Sequence, residues 1–320
     1  MAKTTRLVKT LIKLILPVVL LVILAVAGAS VWLTYKMAHP LTARYLVTPD
    51  KYGLLSSRGA QVTNETWPNR DGSISRGWLL RGAANAPAVI LFHRYGTDRS
   101  YQLDLGVKLN ESTNFTVLMP DLRGHGEDPP VKNTSFGGCE GEDSVAAVEF
   151  VRGLRDANQI ALVGQDIGVY GLELGAIAAL NAAAKEKSIK AIVLDSVPRD
   201  SDQLLRLSVA QRLPFASTVT SRFAVIGSYL YYYDGCYKRD STCAIAEKIE
   251  GRNVLLLAGV DQPQYGEATS ELARCFSSGN SVETKLDLSP SGLSIRNASI
   301  EQSEAYGQRL IDFFRKTLTK

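Results

Sequence analysis

Short, continuously apolar runs alternate along this chain with segments of helical spacing. The predicted strands are residues 87–92, 115–119, 167–170, 190–195, 253–258 and 281–288, and the predicted helices are residues 99–110, 144–154, 175–186, 267–277 and 300–318. Strands that are buried on both faces read as unbroken apolar runs, and they occur in parallel sheets that helices cover on both sides. The pattern therefore predicts an α/β fold with a mostly parallel, doubly wound sheet.

Two segments depart from this alternation. Residues 61–67 and 73–80 flank the sequence Asn69-Arg70-Asp71-Gly72, which is typical of a β-hairpin, so we expect an N-terminal antiparallel hairpin. Residues 198–250 are partly helical and rich in tyrosine, and they predict a helical lid insertion. Two interpretations of the tyrosines stay open: they line a pocket beneath the lid, or they form the buried and interfacial face of a helix.

The N-terminal region predicts a membrane helix. No charged residue occurs from Leu14 to Leu33, and about 20 apolar residues are enough to span a bilayer as a helix. Basic residues are concentrated before this run, which places the N-terminus in the cytoplasm and the body outside. The predicted organisation is a basic cytoplasmic tail at 1–13, a transmembrane helix at 14–34, a connector at 35–60 and the folded domain at 61–320. Small residues at 25–29 leave a cleaved signal peptide open as the alternative.

The charge balance and the spacing of cysteines and histidines limit which partners and cofactors we expect. Without the five basic residues of the first 36, the chain has 31 basic and 32 acidic residues, so no nucleic-acid partner is expected. The expected partners are the membrane and an unidentified small molecule or protein. Cysteines and histidines never cluster at metal-binding spacing, so neither a metal nor another cofactor is expected.

The four cysteines of an exported chain permit two disulfides in three connectivities. Cys236 and Cys243 are close in sequence and are the favoured pair. Four unpaired cysteines are the alternative.

Five motifs occur in a characteristic order. They are VILFHRYG at 89–96, VLMPDLRGHG at 117–126, GLELG at 171–175, AIVLDSVP at 191–198 and VLLLAG at 254–259. In this order they resemble the α/β-hydrolase superfamily over about residues 45–318. In detail the chain resembles membrane-anchored, single-domain members of the lipase, esterase and serine-peptidase-like kind. The resemblance implies an α/β-hydrolase fold and a nucleophile elbow, which has the pattern G-x-S-x-G.

The catalytic triad of the family does not carry over. Glu173 stands at the elbow position, where the family has its nucleophile. The acid position falls on Gln262, or on Asp261 if the loop is shifted by one residue, and the histidine position falls on Leu293. A carboxylate at neutral pH has no proton to give to a base and attacks esters and amides poorly. Without a histidine, no group is placed to protonate the leaving group.

The oxyanion loop of the family corresponds to His93, Arg94 and Tyr95. The histidines of the chain are His39, His93 and His125, which all precede the elbow, and we expect structural roles for them. Since the oxyanion loop faces the elbow in this family, we expect Glu173 to fill the oxyanion hole, with Arg94 as its counter-charge. The alternative is a solvent-exposed Arg94 and a Glu173 bound to water.

A second possible elbow overlaps the start of the same strand. Residues 164–168 match G-x-D-x-G, which makes Asp166 an alternative nucleophile of the kind found in dehalogenase-like and epoxide-hydrolase-like members. The helix and strand after residue 174 fall where the family has them only if the count starts from Glu173. The structural interpretation of Asp166 is a turn residue before the strand at 167–170.

Three functions follow from these motifs. The first is a membrane-anchored pseudo-hydrolase that binds a ligand or a protein partner. The second is an active ester or peptide hydrolase with a non-standard site that uses Asp166, Asp195 or Ser196. The third is an interaction domain whose pocket has closed, and a filled or salt-bridged site would favour it over the first.

Overall fold

The computed structural model describes residues 2–40, 44–45, 47–53, 61–214 and 217–319. Within these ranges the helices are α1 Ala2–Ala38, α2 Pro49–Gly53, α3 Leu103–Thr113, α4 Gly138–Gly153, α5 Leu174–Lys185, α6 Ser201–Arg212, α7 Ser217–Tyr231, α8 Thr242–Ala246, α9 Pro263–Ala273 and α10 Ile300–Leu318. The strands are β1 Val62–Pro68, β2 Ile74–Leu80, β3 Ala86–Phe92, β4 Thr116–Pro120, β5 Val163–Leu172, β6 Ile189–Asp195, β7 Asn253–Gly259 and β8 Ser281–Leu288.

These strands form one eight-stranded sheet in the order β1-β2-β4-β3-β5-β6-β7-β8. The hairpin of β1 and β2 is antiparallel, and β2 pairs antiparallel with β4. All the other pairs, from β4–β3 to β7–β8, are parallel. The predicted mostly parallel sheet with an N-terminal hairpin is therefore confirmed.

Helices cover the sheet in packed pairs. Helix α3 contacts α10, helix α4 contacts α5, and each of these helices also packs on strands. Gly168 of β5 lets α10 approach closely, because a Cβ at this position would lie 2.7 Å from the ring of Phe314. The central strands are buried over most of their length, which explains why the sequence shows them as unbroken apolar runs.

Helix α4 begins six residues earlier than its apolar spacing predicts. The predicted start was residue 144, whereas the helix starts at Gly138, in a segment that also contains Gly137 and Gly141. Glu140 explains the difference, since its buried carboxylate accepts hydrogen bonds from the backbone N–H groups of Ser135 (2.7 Å) and Gly137 (3.0 Å). A carboxylate that satisfies free N–H groups at a helix start stabilises that start.

The N-terminal helix is longer than the predicted membrane span. Helix α1 runs without interruption to Ala38, four residues past the predicted end at residue 34. Its stretch Ile12–Ala38 contains an 18-residue window with a mean hydropathy of 2.9 and is long and apolar enough to cross a membrane. Membrane anchors and signal sequences both have this form. Of the predicted connector at 35–60, residues 41–43, 46 and 54–60 lie outside the described ranges.

The chain forms two compact units. One unit consists of α1 together with residues 205–235, which include the end of α6 and all of α7. The other contains the sheet and the remaining described helices. The segment predicted as a lid, residues 198–250, thus holds the helices α6, α7 and α8.

Two disulfides correct the predicted cysteine pairing. Cys139 is bonded to Cys236, and Cys243 is bonded to Cys275. The favoured pair of Cys236 and Cys243 was wrong, and so was the alternative of four unpaired cysteines. Proximity in sequence misled here because the true partners are distant in sequence: Cys139 lies in α4 and Cys275 lies two residues after the end of α9. Only the tertiary fold brings them to the segment at 236–243.

Candidate functional site

The site is built around a strained turn at the carboxyl end of β5. Glu173 links β5 directly to α5 and has φ 53° and ψ −104°, a conformation that residues with a Cβ rarely adopt. Glycines flank it because nothing larger fits. A Cβ on Gly171 would lie 2.2 Å from the carbonyl oxygen of Gly175, and a Cβ on Gly175 would lie 2.4 Å from that of Phe92. This explains the spacing of the two glycines around Glu173.

The carboxylate of Glu173 is buried and bound on both oxygens. Oε2 accepts a hydrogen bond from the backbone N–H of Tyr95 at 3.0 Å, and Oε1 accepts one from the hydroxyl of Tyr265 at 2.6 Å. Only 2% of the Glu173 side chain is exposed. Burial and the nearby Glu173 charge raise the pKa of Tyr265 well above its ordinary value, so this hydroxyl keeps its proton and remains a donor. The carboxylate therefore has no solvent-facing oxygen with which to attack a substrate.

Arg94 lies beside this carboxylate and reaches the loop at the predicted histidine position. Its Nε is 3.9 Å from Oε2 of Glu173, which is an ion pair without a hydrogen bond. Its Nη1 donates to the carbonyl oxygen of Leu293 at 3.1 Å. The side chain of Arg94 is about a fifth exposed and connects three segments that are distant in sequence.

His93 and His125 each hold backbone on both ring nitrogens. Nε2 of His93 accepts from the N–H of Leu122, and Nε2 of His125 accepts from the N–H of Gly96, both at 3.0 Å. The Nδ1 atoms therefore carry the protons. That of His93 donates to the carbonyl oxygen of Arg94 and that of His125 to the carbonyl oxygen of Arg123, each within the histidine's own loop. Burial lowers the pKa of His93 to about 4 and, together with the charge of His93, that of His125 to about 3. Both rings are neutral and fully engaged at neutral pH.

Asp261 and Gln262, the two candidates for the acid position, make local contacts. Asp261 holds the loop that contains Leu293, the residue at the predicted histidine position. Asp261 accepts hydrogen bonds from the hydroxyls of Ser291 (3.1 Å) and Ser294 (2.6 Å). Gln262 caps the start of α9 without a side-chain capping bond, and its Oε1 accepts from the side chain of Gln264. Leu293 is buried between these serines. Both acid candidates thus have local structural partners.

Asp166, the alternative nucleophile, does not lie at a turn. It is inside β5, six residues before the end of that strand, and it is half-buried. Six residues of extended chain span roughly 20 Å, so Asp166 is far from the turn at Glu173. It is also not the turn residue that the sequence suggested, because β5 begins three residues before it.

Asp195 and Ser196 form a separate buried cluster at the end of β6. Asp195 accepts hydrogen bonds from the hydroxyls of Ser196 (2.7 Å) and Tyr306 (2.5 Å) and from the N–H of Gly292 (3.0 Å). Tyr170 in turn contacts the hydroxyl of Tyr306 at 2.9 Å. Asp195 and Ser196 have no exposed surface, and burial raises the pKa of Asp195. The cluster joins β6 to α10 and to the loop before it.

A cavity of about 400 Å³ lies between the start of α3 and α10. Apolar and aromatic side chains dominate its lining, and they include Leu103, Leu105, Ile295, Tyr101 and Tyr306. Glu173 is not among the lining residues. Among the described residues, no three His, Cys, Asp or Glu side chains are grouped so that they could hold a metal ion.

Sequence reasoning brought Glu173, Arg94 and Tyr95 together but missed Tyr265 and Tyr306. Tyr265 lies in the first turn of α9, three residues after Gln262. No sequence motif identifies Tyr265, because it lies 92 residues after Glu173 and contacts it only through the tertiary fold. Its position just after the predicted acid is the one available hint.

Known proteins share this architecture. A family model for the α/β-hydrolase fold matches residues 87–225. Two curated relatives align with parts of the chain. An uncharacterised 31.7 kDa protein of Escherichia coli from the traX–finO intergenic region is 25% identical over 140 residues, and the thiohydrolase aneE of Aspergillus aculeatus is 26% identical over 124 residues. These alignments cover 43% and 38% of this chain but only 47% and 37% of the two relatives, less than half of their lengths.

Solved structures extend the likeness to most of the chain. The esterase Pf2001 of Pyrococcus furiosus matches with a TM-score of 0.64 at 19% identity, over 87% of this chain and 99% of the esterase. At this identity the likeness concerns the fold alone. The family model, the strand order and this match agree that the chain has the α/β-hydrolase fold.

Proposed function

We propose that this protein is a membrane-anchored pseudo-hydrolase, which keeps the hydrolase frame but lacks hydrolase chemistry and acts by binding. The observation that carries the proposal is the environment of Glu173. We interpret the turn at this residue as the nucleophile elbow of the family, since it has the positive φ and the two close-packed glycines that such an elbow requires. A glutamate there has neither a hydroxyl to activate nor a free oxygen.

The oxyanion position supports the same interpretation. In active members of the fold, an N–H group from the loop after the corresponding strand binds the oxyanion. The N–H of Tyr95 is in that loop, and here it donates to Glu173. The carboxylate of Glu173 thus lies where the negatively charged oxygen of a reaction intermediate would bind. Arg94 forms an ion pair with it, and the hydroxyl of Tyr265 donates a hydrogen bond to it. The side chain makes no capping hydrogen bond to the N–H groups of α5.

The base is missing as well. His93 and His125 are held by backbone groups on both nitrogens, and neither makes a hydrogen bond to Glu173, Asp195 or Ser196. Ser196, the buried alternative nucleophile, donates to Asp195 and has no imidazole partner. This arrangement favours a structural role for Ser196 over an active ester or peptide hydrolase.

Helix α1 and the disulfides support anchoring outside the cytoplasm. The four basic residues before the apolar stretch favour a cytoplasmic N-terminus. Two disulfides in the body are typical of oxidising compartments outside the cytosol. We therefore assign the N-terminus to the cytoplasm and the body to the extracytoplasmic side.

The decisive experiment exposes the purified full-length protein in detergent to a fluorophosphonate probe and to short-chain esters. We expect no labelling and no turnover, while an active serine esterase in the same detergent is labelled. The matched variants are Glu173→Ser and Glu173→Ser with Leu293→His, which restore first the nucleophile and then the histidine. Labelling of the wild-type protein that disappears in Ser196→Ala would establish the active hydrolase instead.

The cavity beside α10 supports the binding role, because it gives a ligand a site apart from the filled turn. Its apolar lining suits an apolar small molecule. Native mass spectrometry of the purified protein tests this directly. A co-purifying ligand should be lost in Ser303→Trp, which fills the cavity, and retained in Glu301→Trp, which adds the same bulk on an exposed part of α10. A bare protein mass in the wild type would leave a protein partner as the object of binding.

A further inference from the structure

Helix α7 presents an apolar surface to solvent. Val219, Ile226 and Leu230 are each more than half exposed. They are spaced seven and four residues apart and therefore lie on one face of the helix. Arg222 is the one charged residue between Ser217 and Tyr231. An exposed apolar helix face of this kind marks an interaction surface, since soluble surfaces rarely leave such residues contiguous.

The other side of α7 is packed against α1. The hydroxyl of Thr34 donates to the carbonyl oxygen of Ala224 at 2.7 Å. Gly227 lies so close to α1 that a Cβ there would be 2.1 Å from the carbonyl oxygen of Ser30. Ser30 and Thr34 have no exposed surface. Small residues that let two helix backbones approach, with a hydroxyl bonded across the contact, are typical of helix pairs in membranes.

The contact lies at the end of the uncharged segment of α1. That segment begins at Leu14 and continues to Tyr35, so both residues that contact α7, Ser30 and Thr34, lie in its last two turns. The exposed apolar side chains of α1 extend from Ile12 to Val26, and four helical residues, roughly 6 Å, separate Val26 from the contact at Ser30. The exposed face of α7 is therefore continuous with the surface of α1 that an anchor presents to lipid.

Aromatic side chains cluster near the contact between α1 and α7. Trp32 and Tyr35 of α1 are about half exposed or more. Tyr229 of α7 and Tyr233, which lies two residues after α7, are more exposed still. The rings of Tyr35 and Tyr231 meet edge to face, with their centroids 6.2 Å apart. Tryptophan and tyrosine concentrate at the boundary between membrane and water, where the ring is buried and the polar group stays wet.

We propose that α7 lies in the interfacial layer of the bilayer that α1 spans, with its Val219–Ile226–Leu230 face against the acyl chains. This inference depends on the proposed role of α1 as a membrane anchor. The partner is lipid rather than a second copy of the chain, because the face adjoins the lipid-exposed surface of α1 and is accompanied by interfacial aromatic residues. Arg222 has a long side chain whose guanidinium can reach the headgroup phosphates. The insertion thus contributes a second membrane contact besides the anchor.

Fluorescence quenching tests the proposal in the full-length protein reconstituted into phosphatidylcholine vesicles. The native cysteines are paired, so an environment-sensitive dye can be attached to single introduced cysteines. The sites are Ile226→Cys in α7, Leu20→Cys in the apolar part of α1 and Glu267→Cys on the exposed side of α9. We expect doxyl-labelled lipid to quench the dyes at 226 and 20, and aqueous iodide to quench only the dye at 267.

The outcomes separate this inference from the anchor. If the dye at residue 20 is quenched by lipid and the dye at 226 by iodide, α7 is in water and the inference is overturned while the anchor stands. If neither is quenched by lipid and the protein does not float with the vesicles, the anchor itself is wrong. If the dye at 226 is protected from both quenchers and Ile226→Cys forms a cross-linked dimer, the face binds a second copy, and the lipid proposal fails.

Discussion

His93 and His125 bind each other's loops through a reciprocal pair of hydrogen bonds. His93, directly after β3, accepts the N–H of Leu122, and His125, after β4, accepts the N–H of Gly96. The two ring centroids are 5.2 Å apart. The loops after β3 and β4 are thereby held together beside the turn at Glu173. Both histidines therefore connect backbone segments of the two loops.

This pairing predicts a loss of stability in mild acid. Protonation of Nε2 replaces an acceptor with a donor that faces a backbone N–H. The pKa values of His93 and His125 are lowered to about 4 and about 3, below the ordinary value of about 6.5. The stabilisation that depends on their neutral form is therefore complete above pH 6.5 and is lost as the pH falls toward 4. Each unit of difference corresponds to about 1.4 kcal/mol. We expect the melting temperature to fall steadily over this range.

A histidine variant isolates the effect from other titrating groups. Burial raises the pKa of Asp143 to about 6, and that group changes stability in the opposite direction over the same range. His125→Gln keeps an acceptor and a donor but does not titrate. The difference in melting temperature between wild type and variant should shrink from pH 7 to pH 4.5. A constant difference would show that protonation of His125 contributes nothing.

Removal of the Glu173 side chain should destabilise the body. Glu173→Ala leaves the hydroxyl of Tyr265 and the N–H of Tyr95 buried without their acceptor, and each such group costs about 1–3 kcal/mol. We expect a clear fall in the melting temperature of the purified protein. The control is Glu267→Ala, which removes an exposed carboxylate from the same helix as Tyr265. Equal melting temperatures for the two variants would contradict the structural role of Glu173.

The sequence predicted part of this site for a physical reason. Glycine spacing and strand order depend on local backbone geometry, so the turn at Glu173 and the nearby Arg94 were accessible from motifs. Tyr265 was not, because its contact with Glu173 is decided by how α9 packs on the sheet. The same limit explains the cysteine pairing, since Cys236 is seven residues from Cys243 but is bonded 97 residues away. Local pattern predicts elements, whereas partners across the sheet need the tertiary structure.

The two disulfides should differ in their effect on stability. In the chain-entropy model, a cross-link contributes more when it closes a longer loop. The pair Cys139–Cys236 is separated by 97 residues and the pair Cys243–Cys275 by 32, which corresponds to a difference of about 1 kcal/mol. Replacement of both members by serine should therefore lower the denaturant midpoint more for the first pair. An equal or reversed order would show that contacts around each bond outweigh loop entropy.

Asp195 offers a test that separates a hydrogen-bonding role from a charge-dependent one. Its Oδ2 accepts hydrogen bonds from the N–H of Gly292 and the hydroxyl of Tyr306. Its Oδ1 accepts one from the hydroxyl of Ser196. In Asp195→Asn the amide oxygen can keep the first two bonds, and the Ser196 hydroxyl can turn to accept from the amide nitrogen. In Asp195→Ala all three donors lose their acceptor, and each buried donor left unpaired costs about 1–3 kcal/mol. We therefore expect a small fall in melting temperature for Asp195→Asn and a much larger one for Asp195→Ala. If both variants fall equally, the negative charge of Asp195, and not its hydrogen bonds, is what the fold requires.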